Sequence, residues 1–260
     1  IMGVWFRYMF QAVTMAAVLL PRHGLAVLRT AHPRYQVLRG ALLLVSSSLA
    51  FLSLRYMPMA EFTAIVLVVP LAATLLAATQ LKEQVSPLRW GLVAGGFAGT
   101  LVILRPGGDA FSWATLLPVG LVVTNAWFQV LTSKLAQTEN PLTMNFYSGW
   151  VGALIASLAL PFAWTALPSW HWWALLCLMG LMGTVGHFML ILAFQRAPAS
   201  TLTPYLYAQI GFAMLGGWLV FSRVPDAASL IGIGLIAICG AAGAWLTVKE
   251  RRLPIEPAES

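Results

Sequence analysis

Residues 54–85 read LRYMPMAEFTAIVLVVPLAATLLAATQLKEQV. An acid, Glu61, heads an apolar run, Pro70 interrupts it, and a Lys82–Glu83 pair closes it. What such a run becomes depends on the solvent around it. Composition supplies the answer: 60% of the 260 residues are hydrophobic and only 9% are charged. A soluble domain carries about 25% charged residues, because its surface must face water. With so few charges, most of this chain's outer surface faces lipid.

The length of the runs selects the element. A helix needs about 20 apolar residues to cross the hydrocarbon core, whereas a transmembrane strand needs about 10 with alternating polarity. The runs here are long and do not alternate, so the expected fold is an all-α membrane protein, a polytopic helical bundle. Nine apolar segments are legible, at about 2–20, 36–54, 59–81, 87–104, 113–134, 142–162, 172–194, 200–221 and 229–247. Short links join them. The ending KERRLPIEPAES is charged and proline-containing, and reads as a solvated tail. The opening IMGVWFRYMF has neither a basic leader nor a small-residue cleavage site, so no signal peptide is legible there.

Basic residues give an orientation. Arg22, Arg29, Arg34, Arg39, Lys82, Arg89, Lys134, Arg196, Lys249, Arg251 and Arg252 fall on one side, eleven in all, against Arg7, Arg55, Arg105 and Arg223 on the other. The positive-inside rule then places the C-terminus in the cytoplasm and residue 1 outside. In this scheme Arg39 marks topology only. The net charge of +7 has the same origin and does not point to nucleic acid. The loop with Trp164, Trp170, Trp172 and Trp173 falls outside, as an interfacial aromatic belt. Cys177 and Cys239 lie inside apolar runs and read as small packing residues.

A repeat organises the segments. Pro21 and Pro58 recur as Pro161 and Pro198, each 140 residues later, and with one extra residue Gly91 and Gly99 align with Gly232 and Gly240. In this register the fifth segment has its counterpart before residue 1. The sequence thus reads as an inverted repeat of five-helix units with the first helix absent, nine transmembrane helices of an expected ten. The units are 1–108 and 109–248, followed by the tail 249–260. An odd number of helices per unit makes the second insert upside down. Inverted repeats of this kind are the mechanical signature of alternating-access transport, with a site near the midplane between the halves.

The stretch LRYMPMAEFTAIVLVVPLAATLLAATQLKEQVSPLRWGLVAGGFAGTLVILRPG, residues 54–107, resembles the drug/metabolite transporter superfamily and its EamA-type members. The resemblance covers nearly the whole chain, weakly outside this stretch. It implies a secondary transporter or exchanger of small organic metabolites, with ten helices and both termini cytoplasmic. In that family the first helix helps form the central cavity. The sequence departs from the family at FSRVPD, where Arg223 stands in place of a glutamate like Glu83.

Candidate site residues follow from polarity inside the runs. Asn125 and Gln129 share one face of the fifth segment, and Tyr205 and Gln209 share one face of the eighth, near Pro204. His187 is mid-segment in the seventh. Buried polar groups in hydrocarbon cost several kcal/mol unless paired or wet. They serve either as interhelical glue or as the lining of a hydrated cavity. Glu61 stands either as a dipole-favoured acid at a helix head or as a cation or proton site at the outer mouth. Arg7 either snorkels to the interface or pairs with a substrate carboxylate or phosphate. Glu83 reads as a structural acid at the cytoplasmic foot. Pro70 is read as a mid-helix bend, serving either packing or gating, and Pro204 is the second candidate hinge. The Gly91, Gly95 and Gly99 stripe suits close packing within the bundle or a homodimer seam.

There is no phosphate loop, no clustered metal ligand set and no signature of a cofactor. The expectation is a transporter of amino acids, amines, nucleobase-like or drug-like solutes in the cell membrane. The rivals are a membrane-embedded enzyme acting on lipid-linked substrates, for which no interfacial acid or histidine cluster is visible, and a non-transporting assembly subunit.

Overall fold

The computed structural model describes residues 2–57, 59–104, 113–162, 164, 169–209, 211–212, 219 and 227–252. These form α1 (Met2–His23), α2 (Pro33–Tyr56), α3 (Met59–Val66), α4 (Val69–Gln80), α5 (Pro87–Leu104), α6 (Leu116–Ala136), α7 (Pro141–Ala159), α8 (Trp170–Arg196), α9 (Ala199–Leu202) and α10 (Ala227–Arg252). Single 3₁₀ turns intervene, and there is no strand among the described residues. Four stretches are individually long and apolar enough to cross a membrane: Met2–Leu28, Pro33–Tyr56, Trp113–Ala136 and Trp170–Arg196. The protein is an all-α polytopic membrane protein.

Proline and asparagine set the helix starts. Pro33, Pro87 and Pro141 each occupy the first position of a helix, where a missing N–H costs nothing and the fixed φ already suits the helix. The Asn140 side chain accepts from the Leu142 amide at 2.8 Å, capping α7. At the other end of a helix, Lys82 adopts φ 54 after α4. The Leu81 and Glu83 amides both donate back to Ala77 O, at 3.1 and 3.3 Å, a left-handed helix stop in a residue other than glycine.

The run that opened the sequence analysis is two helices, not one bent helix. Leu67 and Val68 turn between α3 and α4, and Pro70 is the second residue of α4. Proline is tolerated in a first helical turn and breaks an interior, so the break falls just before it. Its carbonyl is used: Thr74 Oγ1 donates to Pro70 O at 2.8 Å. The eighth segment is interrupted too, α9 giving way to a 3₁₀ turn at Thr203–Tyr207 that contains Pro204.

The helices pack in these pairs. α1 lies against α7 and α8, α2 against α6 and α7, α4 against α6, and α5 against α10. Adding 140 to the numbers of α1 and α2 gives α7 and α8, so the α1–α8 and α7–α2 contacts correspond to one another. Lipid supplies little hydrophobic drive between helices, so close approach depends on small residues. A Cβ on Gly180 would fall 2.7 Å from Phe10, and one on Gly149 would fall 2.9 Å from the Ala12 amide. Along α5, a Cβ on Gly95 would meet Cys239 Sγ at 2.7 Å and one on Gly99 would meet Gly232 O at 3.0 Å, whereas Gly91 faces open space. Two members of the glycine stripe are therefore used inside the chain, against α10.

Near the cytoplasmic links assigned by charge, Ala77, Leu131, Leu135, Met144, Ile191 and Phe194 form one core joining α4, α6, α7 and α8. Trp164, Trp170, Trp172 and Trp173 are exposed, as an interfacial belt requires. Arg105, Arg223, Pro58 and the tail beyond Arg252 lie outside the described residues.

Candidate functional site: a cationic polar chain inside the bundle

Polar side chains of α1, α2, α7 and α8 meet around Phe128 of α6. Arg7 donates from Nη1 to Ser47 Oγ at 2.7 Å and from Nη2 to His187 Nε2 at 2.5 Å. A guanidinium has only donors, so His187 accepts on Nε2 and carries its proton on Nδ1. The Tyr8 hydroxyl meets Ser47 Oγ at 2.9 Å, and the Arg7 guanidinium lies 5.0 Å from the Tyr8 ring centroid. Phe128 presents its ring edge-to-face with His187 at 5.9 Å. The Arg39 guanidinium lies 5.8 Å from the Phe128 centroid.

Arg39 corrects the orientation argument, in which it only marked a side. It is 1% exposed. Its Nη2 donates to Met144 O and to Ser148 Oγ, the latter at 2.7 Å. Six residues into α2, its long side chain turns inward to the α7 backbone, so helix position did not decide its role. Beside it run further buried polar contacts. Gln11 Nε2 donates to Asn145 Oδ1 at 2.8 Å, and Asn145 Nδ2 donates to Thr184 O at 3.4 Å. The buried atoms without a hydrogen-bond partner include Gln11 Oε1, both amide atoms of Gln36, Arg39 Nε and Gln129 Oε1. Buried polar groups are normally satisfied, so orphans of this kind mark places where water or a ligand belongs.

Of the residues picked from sequence, Arg7 and His187 come together. Asn125 and Gln129 bond each other, Gln129 Nε2 donating to Asn125 Oδ1 at 2.9 Å, with Gln129 buried. Tyr205 and Gln209 are exposed. The 3₁₀ turn ends the α-helical register that would have given them one face, and the Tyr205 hydroxyl lies 4.0 Å from a Cβ built on Gly243 of α10. Nothing among the described contacts joins them to the amide pair. The side chains of Glu61 and Pro204 lie outside the described residues. Sequence reasoning missed Tyr8, Gln11, Ser47 and Asn145. The Ser46–Ser48 run inside an apolar helix was the available signal, since adjacent hydroxyls there need partners.

In the α4–α5 link the Glu83 carboxylate accepts from the Ala199 and Ser200 amides, at 3.1 and 3.0 Å. It thereby closes the start of α9. A cavity of about 520 Å³ beside it is lined by Ser86, Arg89 and Thr201, and one of about 420 Å³ by Lys134, Gln137 and Arg196. A second tie joins the α1–α2 link to the α6–α7 link. The His32 backbone amide and Nδ1 reach Glu139 Oε1 at 3.0 and 3.1 Å. Burial pushes the Glu139 carboxyl up, but hydrogen bonds from Thr30 and from the His32 side chain and amide, with the His32 charge, outweigh it and hold the group below 4.5.

A model of the EamA-like transporter family matches residues 112–246. The chain is 32% identical to a riboflavin transporter of Vibrio cholerae, over 86% of this chain and 76% of the relative. It is 30% identical to an S-adenosylmethionine uptake transporter of Rickettsia felis, over 89% and 78%. A riboflavin transporter of Rhizobium johnstonii is 31% identical over 92% and 78%. A solved crystal structure superposes with a TM-score of 0.79 at 21% identity, over 94% of this chain and 87% of the other, which supports the fold alone. Fold and relatives agree, and the chain belongs to the EamA-like transporter family: it is a multi-pass membrane transporter of small metabolites, not an enzyme.

Proposed function

We propose that the chain is a secondary transporter working by alternating access between two inverted units, 1–108 and 109–248. The solute passes beside the polar chain of Arg7, Ser47, Tyr8 and His187. That polar chain is the observation that carries the reading, because its residues come from α1 and α2 of one unit and α8 of the other. A chain that only anchored other proteins would have no use for buried hydrogen-bonding groups left open. The interruptions before Pro70 and around Pro204 support it further, since discontinuous helices in corresponding positions of two repeats are where such transporters bind and bend. In this scheme Asn125 and Gln129 form one wall, Tyr205 and Gln209 line the opposite half, and Glu61 stands at the outer mouth. The unit lies in the inner membrane with its C-terminus in the cytoplasm.

The solute class favoured by this setting is a heteroaromatic metabolite with polar substituents. The aromatic neighbours Phe128 and Tyr8 suit a ring, and the relatives named above carry riboflavin or S-adenosylmethionine. Labelled riboflavin and S-adenosylmethionine are offered to proteoliposomes with and without a proton gradient. Saturable uptake of one of them, lost in Asn125→Ala/Gln129→Ala while the protein remains folded, supports the reading. Uptake no greater than in empty liposomes for both solutes counts against it, and unchanged uptake in the variant removes the amide pair from the path.

A further inference from the structure

Two arginines inside the bundle, Arg7 and Arg39, have no acidic partner among the described residues. The described partners of Arg7 and Arg39 are all neutral: Ser47, His187, Ser148 and the Met144 carbonyl. The one ion pair among the described residues, His32–Glu139, lies on the links. The sequence explains why. Of its eight acids, Asp109, Asp226, Glu256 and Glu259 lie outside the described residues; Glu61 is at the head of α3, Glu83 and Glu139 are in links, and Glu250 is in the last turn of α10. None of these four comes from the middle of a helix.

An ion buried without a counter-ion costs several kcal/mol, and a well-packed apolar side chain in its place is commonly more stable. Two guanidinium groups pay that cost: Arg39, 5.8 Å from the Phe128 centroid, and Arg7, bonded to the His187 that packs edge-to-face on the same ring. Arg39 is fully buried, and its Nε has no partner. Arg7 is half-buried, so one side of it is open. Gly183 lets the Arg7 side chain lie close against α8, since a Cβ there would fall 3.0 Å from Arg7 Nε. The groups holding Arg7, a hydroxyl and a neutral imidazole, are weak acceptors that an anion displaces easily. An oxyanion matches the guanidinium fork with two parallel charged hydrogen bonds.

We propose that Arg7, with Arg39 in the same Phe128–His187 cluster, is the docking point for an oxyanion, a carboxylate or a phosphate, on the transported solute. This rests on the transport reading above for the word transported, but the binding stands on its own geometry. Without solute, Arg7 is parked on Ser47 and His187. With solute, the oxyanion takes its Nη groups and the Arg7–His187 contact opens, which loosens α1 from α8. Arg39 touches no solute; it raises the local positive potential.

The test uses the whole chain in nanodiscs and a matched pair of probes, riboflavin and riboflavin 5′-phosphate, which differ only in the anion. A charged hydrogen bond contributes about 1.5–3 kcal/mol, so the phosphate form should bind about ten- to a hundredfold more tightly than riboflavin. Arg7→Gln should bring the two to parity, the readout being the ratio of the two affinities within each protein, so that a loss common to both flavins does not count for or against the proposal. Arg39→Met should narrow the gap and leave the thermal midpoint equal or higher, and where it does not fold Arg7→Gln alone decides. A second arm needs no flavin binding. Inorganic phosphate or acetate, against chloride at equal ionic strength, should raise the midpoint of the wild type and not of Arg7→Gln. A response to acetate alone assigns a carboxylate, and one to phosphate alone a phosphate. No midpoint shift from either oxyanion, a phosphate shift with equal binding of the two flavins, or a preference or shift that survives Arg7→Gln overturns the proposal. Oxyanion binding that persists where no solute is taken up sinks the transport reading and leaves this one.

Discussion

Glu83→Ala is expected to unfasten the start of α9 without unfolding the bundle. The carboxylate accepts from Ala199 and Ser200, at 3.1 and 3.0 Å, and these are first-turn amides with no intrahelical acceptor of their own. A hydrogen bond to a charged group contributes about 1.5–3 kcal/mol, and the half-exposed position of Glu83 places each of these at the low end. Together the two bonds contribute about 2–3 kcal/mol, which corresponds to about a thirtyfold to a hundredfold change in local opening. Glu83→Gln keeps one acceptor oxygen and should fall between. Hydrogen exchange of the segment 197–203 in nanodiscs reads this directly: protection should drop in the order wild type, Gln, Ala. The α6 and α7 amides should not change. Equal protection in all three proteins would refute the assignment of Glu83 as the group that closes α9.

Three further outcomes are expected. Gly152→Ala places a methyl group inside the buried Tyr8 ring, and overpacking should cost about 1–3 kcal/mol; Gly91→Ala, facing open space, should cost nothing in the same thermal melt. Lys82→Gly should raise stability by up to about 1 kcal/mol, because φ 54 strains any residue with a Cβ, and Lys82→Val should lower it. Glu139 titrates below 4.5 in the folded protein, so its contribution to stability is whole above that value and is lost as the pH falls through its folded-state value. Glu139→Gln should accordingly flatten the acid limb of a stability–pH curve and lower the melting midpoint at neutral pH, where the wild type keeps the whole contribution from Thr30 and His32.

The helices were legible because lipid imposes a length and a polarity that composition alone reveals. The starts of α2 and α7 were placed within a few residues, and prolines at 33 and 141 account for the shifts. The break before Pro70 was read as a bend, since a proline motif signals a discontinuity but not on which side the backbone gives way. Arg7 with His187 was anticipated in its parts and not as a pair, because 180 residues separate them and only tertiary packing brings them to 2.5 Å. Arg39 was misjudged for a physical reason. A charge near a helix end satisfies the topology rule whether it snorkels outward or turns in, and only the α7 carbonyl and hydroxyl opposite it settle which.

The two-unit scheme can be tested from outside the membrane. Arg22 and Phe162 occupy equivalent positions, 140 residues apart, and both are exposed. With Cys177 and Cys239 replaced by serine, single cysteines at 22 and 162 are challenged with a membrane-impermeant thiol reagent in sealed vesicles of known orientation. Labelling from opposite faces is the expected result, and labelling of both from one face would contradict the inverted arrangement on which the transport mechanism depends.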